Sequence, residues 1–106
     1  ETADGLVYGL SGNATFFVFD PESRQVMHSE RLSQYGGTPR HAWHIGPDGK
    51  LYVLLSKAIL RVNPGTFEHE KLADTPVPVQ AGGALVGGLL CFANGSHVWT
   101  YDVPGL

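Results

Sequence analysis

The amino-acid sequence returns three times to the same pair of landmarks, and this constrains the fold more than any other feature. Asp4-Gly5-Leu6-Val7-Tyr8 aligns with Asp48-Gly49-Lys50-Leu51-Tyr52 after 44 residues, and with Gly87-Gly88-Leu89-Leu90-Cys91 after a further 39. Eleven or twelve residues beyond the last position of each copy stands an Asp or Asn with a proline close behind. These are Phe19-Asp20-Pro21, Val62-Asn63-Pro64 and Tyr101-Asp102-Val103-Pro104. Recurrence at a fixed period marks a repeat architecture, in which each unit hides its apolar side against its neighbours.

Each copy reads as a β-hairpin. The Asp-Gly or Gly-Gly pair supplies the positive-φ positions of a tight turn into the first strand. The second strand aligns as Phe16-Phe17-Val18-Phe19, Ile59-Leu60-Arg61-Val62 and Val98-Trp99-Thr100-Tyr101. In this alignment the second and fourth columns are always large and apolar, while the third holds Val, Arg or Thr. The pattern has the period of two expected of a strand, with the more polar side predicted to lie between those columns. Proline then ends the strand, because it cannot donate to a sheet ladder. Flanking strands are expected at His41 to Ile45, Gly82 to Val86, Gln25 to Leu32 and Phe67 to Leu72.

Composition agrees with an all-β chain. Hydrophobic residues make up 42% and charged residues 16% of the 106, and the 14 glycines and 7 prolines punctuate short apolar runs. No stretch approaches the roughly 20 apolar residues needed to span a bilayer, so no membrane partner is expected. The formal charge of −3, with seven basic residues scattered along the chain, argues against nucleic acid. Cys91 is the single cysteine, which excludes an intrachain disulfide and a cysteine-based zinc site. The start at Glu1 without Met is read as a processed product or a piece of a longer polypeptide.

A unit of about 40 residues with four short strands has the size of a β-propeller blade. Gly46-Pro47-Asp48-Gly49-Lys50-Leu51-Tyr52, followed by Val62-Asn63-Pro64-Gly65-Thr66, resembles the blade repeats of NHL, gluconolactonase-like, streptogramin-lyase-like and quinoprotein-like propellers. The resemblance runs over nearly the whole chain, while the Gly-His and Trp-Asp marks of WD repeats are absent at matching places. It implies an all-β fold: a β-propeller fragment of about two and a half four-stranded blades, treated as one segment over residues 1–106. A partial blade would occupy 1–32, a full blade 40–73 and a partial blade 81–103, giving ten strands. Such an arc would expose two apolar blade faces. They are expected to be covered by self-association or by the rest of a longer chain.

The resemblance also implies where a ligand would sit. Propellers bind mainly on the face that carries the connections entering each blade and the hairpin between its second and third strands. That face would gather Ser33 to Arg40, Leu72 to Gln80, Ser11-Gly12-Asn13, Ser56-Lys57 and Asn94-Gly95-Ser96-His97. Tyr35, Arg40, His41, Lys57, Gln80 and His97 are the candidate contacts for a protein or carbohydrate partner, with Arg40 beside His41 foremost.

Enzymatic readings find less in the residues. Gluconolactonase-like enzymes hold a divalent cation with acidic and amide side chains, but acids are scarce on the expected face. Asp4 and Asp48 belong to the opposite turns, Glu68 and Glu70 to an outer strand, and Asp74 alone falls near the mouth. Streptogramin-lyase-like propellers use His with acidic partners, and neither His41 nor His97 has an evident one. His41 and His44, three apart on an extended strand, would point to opposite sides and make poor metal co-ligands. His28 and His69 fall on outer strands, as hydrogen-bonded or solvent-facing imidazoles.

Trp43 and Trp99 occupy different repeat positions, so no quinoprotein-like docking Trp recurs, and both are expected to pack between blades. Gly82-Gly83-Ala84 and Gly87-Gly88 interrupt a strand with no helix after them, which excludes a nucleotide loop. Cys91 reads as a small buried apolar residue. Asn13-Ala14-Thr15 and Asn94-Gly95-Ser96 match the glycosylation sequon, yet fall at hairpin tips where Asn suits the turn. The expectation is a non-catalytic binding or scaffolding module with no metal and no cofactor. Part of a lyase or lactonase, and a purely structural assembly, are the alternatives.

Overall fold

A computed structural model of the chain describes residues 5–106, so Asp4 of the first turn lies outside the described residues. The chain forms ten antiparallel-paired strands in three small sheets, with no helix beyond one short 3-10 turn at Ser33–Tyr35 among the described residues. The first sheet joins β1 (Val7–Leu10), β2 (Thr15–Asp20) and β3 (Gln25–Arg31). The second joins β4 (Trp43–Ile45), β5 (Leu51–Leu54), β6 (Ala58–Val62) and β7 (His69–Asp74). The third joins β8 (Ala81–Val86), β9 (Leu89–Asn94) and β10 (His97–Asp102). In every sheet, strands adjacent in sequence are adjacent in space.

The turns explain why the strands begin and end where they do. Gly5, Gly49 and Gly87, the repeat-equivalent glycines before each first hairpin strand, adopt φ of 77°, 80° and 60°. That left-handed backbone is strained for most L-residues and free for glycine. At the far end, Asp20 closes β2 by accepting from the Glu22 backbone N–H at 3.0 Å and from the Ser23 hydroxyl. In the middle copy Asp48 has a related use. It accepts from the Lys50 N–H at 3.1 Å and from the Tyr52 hydroxyl at 2.7 Å, which pins the turn onto β5.

Two apolar clusters hold the sheets together. The first packs Phe16, Val18 and Leu32 of the opening sheet segment against Leu51, Val53, Leu60 and Val62. The second packs Tyr52, Leu54 and Ile59 against Leu90, Phe92 and Val103. The middle sheet is therefore covered on both faces, and all four residues of β5 are buried. Near-continuous apolar runs are what a strand buried on two sides requires. Leu51 and Val53 face the first sheet, Tyr52 and Leu54 the third, as the alternation of strand side chains dictates.

This arrangement corrects the expected orientation of the repeat columns. In β2 the first and third columns, Phe16 and Val18, are fully buried, while Phe17 and Phe19 of the second and fourth are only half-buried. In β6 Leu60 and Val62 of the second and fourth columns are buried, and so is Ile59 of the first. Columns do not divide into core and solvent sides. They divide into a side that meets the preceding sheet and a side that meets the following one. An end sheet has only one such neighbour, so one column set is left uncovered.

Smaller departures follow from local geometry. The strand placed at His41 to Ile45 is shorter, because His41 takes φ of 53° and cannot continue a β ladder. The outer strand expected at Phe67 to Leu72 starts at His69, because Phe67 is also left-handed, with φ of 64°. Gly82 and Gly83 do not interrupt β8. The strand passes through them with a register shift between Gly82 and Leu85 in its pairing with β9, as glycine often permits at a bulge. Cys91 is half-buried and not fully enclosed, since its partner Thr100 lies across the uncovered side of the third sheet.

Candidate functional site

The loops at one end of the three sheets are tied to one another by hydrogen bonds. Thr38 donates its hydroxyl to the Ser11 carbonyl at 2.9 Å, bridging the first hairpin tip to the segment entering the second sheet. Ser56, in the second tip, donates its N–H to the Gly37 carbonyl and accepts from the Gly37 N–H through Oγ at 2.8 Å. The Ser56 carbonyl in turn accepts from the Val79 N–H at 2.9 Å. Asn94, leading into the third tip, donates Nδ2 to the Pro78 carbonyl at 2.7 Å, and Gln80 Oε1 accepts from the Gly95 N–H at 2.6 Å. A chain of backbone-anchored bonds thus links the three hairpin tips through the two connecting segments. Short polar and glycine-rich loops become one ledge because each satisfies its neighbour's backbone groups.

The expected contact residues fall at different points of this ledge. Arg40, His41, Lys57, Gln80 and His97 are exposed, whereas Tyr35 is half-buried. Tyr35 and Lys57 are neighbours, since the Lys57 N–H donates to the Tyr35 carbonyl at 3.0 Å. Arg40 and Gln80 are neighbours at the opposite seam. The Arg40 N–H reaches the Gln80 carbonyl at 3.4 Å, and the Arg40 carbonyl accepts from the Gly82 N–H at 2.7 Å. Arg40 and Ala81 form an isolated parallel bridge there, joining the second sheet's entry segment to β8. His97 opens β10 opposite Asn94, next to the tip that Gln80 holds.

A shallow cavity of about 390 Å³ lies beside Arg40. Gly9 and Leu10 form one wall, and Thr38, Pro39, His41, Ala42 and Trp43 the rest. Mostly apolar walls with few polar groups are the usual make-up of a recognition pocket. A second depression of about 240 Å³ is lined by Lys50, Arg61, Asn63, Glu68, His69 and Glu70. Arg61 and Glu70 pair with each other across it. Arg61 donates Nε to Glu70 at 2.7 Å, and that bond, with one to Tyr52, raises the guanidinium pKa further above its ordinary value.

Residues assigned to outer strands form the most connected polar group. Glu30 Oε1 lies 3.2 Å from His28 Nε2 and 3.3 Å from His69 Nδ1, while His69 Nε2 lies 3.4 Å from the Tyr35 hydroxyl. The group spans the first two sheets over an aromatic floor of Phe16 and Phe67, whose rings sit 5.2 and 5.6 Å from His28. No local pattern announces it, because 39 residues separate Glu30 from His69. Both ring nitrogens of His69 are engaged, one toward Glu30 and the other toward the Tyr35 hydroxyl, so it links the first two sheets. Among the described residues no three His, Cys, Asp or Glu side chains are grouped to hold a metal.

His44 sits under the ledge, with Nε2 buried and without a hydrogen-bond partner among the described residues. Burial lowers its pKa below 6.5; a backbone hydrogen bond at His41 works against this, and the nearby His41 imidazole adds to the lowering. A His with a depressed folded pKa favours the unfolded chain once protons become available. The stability it confers is complete above pH 6.5 and is lost as pH falls through the folded value. His44→Leu should accordingly flatten the acid limb. Its melting temperature relative to the native chain is expected to rise steadily as pH drops below 6.5. A constant difference between pH 7.5 and pH 5 would show that His44 carries no such linkage.

No protein-family model, curated protein or solved structure matched the chain.

Proposed function

We propose that this chain is an arc of two and a half β-propeller blades that serves as a non-catalytic recognition module, binding a protein or carbohydrate through its hairpin-tip ledge. The observation that carries the reading is the run of hydrogen bonds joining the Ser11, Ser56 and Gly95 tips through the two connecting segments. Loops fixed in this way cost little further entropy when a partner binds, which is what preorganised recognition needs. Sheets of three, four and three strands, stacked in chain order, support the blade reading. Exposed His41, which lines the apolar cavity, and exposed Arg40 next to it in the chain supply the polar and stacking groups.

The test is a binding screen of the purified chain against immobilised glycans and displayed peptides, followed by Arg40→Ala combined with His41→Asn. Asn is chosen because it tolerates the left-handed backbone of position 41. Affinity for any ligand found should fall by about tenfold or more, equivalent to roughly 1.4 kcal/mol, with the melting temperature little changed. Unaltered affinity in the double variant would remove this end of the molecule as the binding face.

A further inference from the structure

We infer that copies of this chain associate head to tail, the outer face of the first sheet of one copy seating on the outer face of the third sheet of the next. The inference rests on reading the sheets as repeated blades, and is independent of the ligand ledge. Inside the chain the same kind of seam is made twice. Phe16 and Val18, first and third columns of β2, meet Leu60 and Val62, second and fourth columns of β6. Ile59, first column of β6, meets a cluster containing Leu90, Phe92 and Tyr101, the last of these in the fourth column of β10. In each seam the odd columns of one sheet face the even columns of the following sheet.

The two uncovered faces are the two halves of that seam. The first sheet turns outward its even columns, Phe17 and Phe19, with Val26 paired beside Phe19. The tip of the Phe17 ring reaches over Gly9, where a Cβ would collide with it, so the ring occupies the space a side chain at position 9 would take. The third sheet turns outward its odd columns, Val98 and Thr100, paired with Ala93 and Cys91, and on the same side, beside Asp102, Leu89 and Val86. Val26, Val86 and Val98 are 61%, 69% and 76% exposed, and belong to the group of large apolar side chains in the described residues that water reaches most freely. A second copy supplies to each face the column set that it meets everywhere else in the molecule.

The two faces differ, so the contact is heterologous: it does not close on itself, and a dimer keeps one free face of each kind, one on each copy. A symmetric dimer would instead place like columns together, a pairing found nowhere in the chain.

Sedimentation velocity on the intact 106-residue chain, from micromolar to millimolar protein, reads this directly. The native chain should grow through dimers to larger species as concentration rises. Val26→Asp blocks the first-sheet face and Val98→Asp the third-sheet face; each alone should sediment as a monomer, with circular dichroism confirming that it is folded. Mixed in equal amounts, the two variants should form a species of two chains and nothing larger, through the one intact face that each retains. A native chain that stays monomeric throughout overturns the inference. So does either variant that dimerises alone, or a mixture that does not associate. The Arg40→Ala, His41→Asn variant should assemble as the native chain does, and its failure to do so would also count against these end faces. Ligand binding that survives when assembly is absent would leave the ledge standing by itself.

Discussion

Truncating Ile59 to alanine should cost about 2–5 kcal/mol, whereas the same truncation at Val98 should change stability by no more than about 0.5 kcal/mol in dilute solution. The two residues hold the same column of the repeat, and Phe16 is their counterpart in the first copy. Their surroundings separate them. Ile59 is 2% exposed, packed between the middle and third sheets, while Val98 opens β10 to water. A native domain is held by only about 5–15 kcal/mol in total, so the Ile59 variant should lose a large part of the margin. Urea melts of both variants at low concentration check the contrast. Equal losses would mean that the sheets do not stack in the order described, because repeat position alone would then set the cost. Comparable tolerance at both sites would carry the same message.

The second large effect is expected at Gly82. A Cβ there would collide with the His41 carbonyl oxygen, with His44 Nε2 and a Leu54 methyl each 3.0 Å away. Backbone cannot withdraw as a flexible side chain can, and here it is fixed by the Gly82 N–H bond to the Arg40 carbonyl. Gly82→Ala should therefore cost about 1–3 kcal/mol of overpacking and prise β8 away from the Arg40 segment. For a chain of this size each kcal/mol corresponds to a fall of about 4–8 °C in melting temperature. The adjacent Gly83 is the internal control. A Cβ at Gly83 comes no closer than 3.4 Å to any atom, the Cys91 carbonyl oxygen, so Gly83→Ala should be nearly neutral. Hydrogen exchange adds a local readout, because the Gly82 amide of a partly opened seam exchanges faster in conditions where β5 stays protected. In Gly82→Ala the amides at positions 82 and 40, which bond across this seam, should report the opening. Retained protection at Arg40 in the alanine variant would show that the seam accommodates a methyl group.

The Gly82 experiment bears on the recognition proposed for the ledge. The seam between the second and third sheets carries Arg40, His41 and Gln80, so a Gly82 variant should also displace the exposed side chains of the ledge. Loss of binding there without a large loss of stability would tie recognition to the seam itself.

How much of this was legible in the residues depends on the distance over which each feature is encoded. The strands follow from alternation, and the turns from glycine, Asp and proline at fixed offsets, all within a span of about a dozen residues. Even the number of strands follows from the repeat, because every copy carries its own start and stop signals. The ledge could be foreseen as a set of loops, but the bonds that join Thr38 to Ser11 and Asn94 to Pro78 could not. They depend on where the sheets come to rest. The clamp of His28, Glu30, His69 and Tyr35 was beyond reach for the same reason: its members are unremarkable one at a time and become a unit only when two sheets meet.

The sequence by itself determined an all-β chain of short strands, since period-two apolarity and turn chemistry act between near neighbours along the backbone. Tertiary structure alone decided which columns are covered, which glycine admits no side chain, and which imidazole loses its water. Those outcomes turn on contacts between strands far apart in the chain, where the same residue type at the same repeat position is core in the middle sheet and surface at the end of the stack.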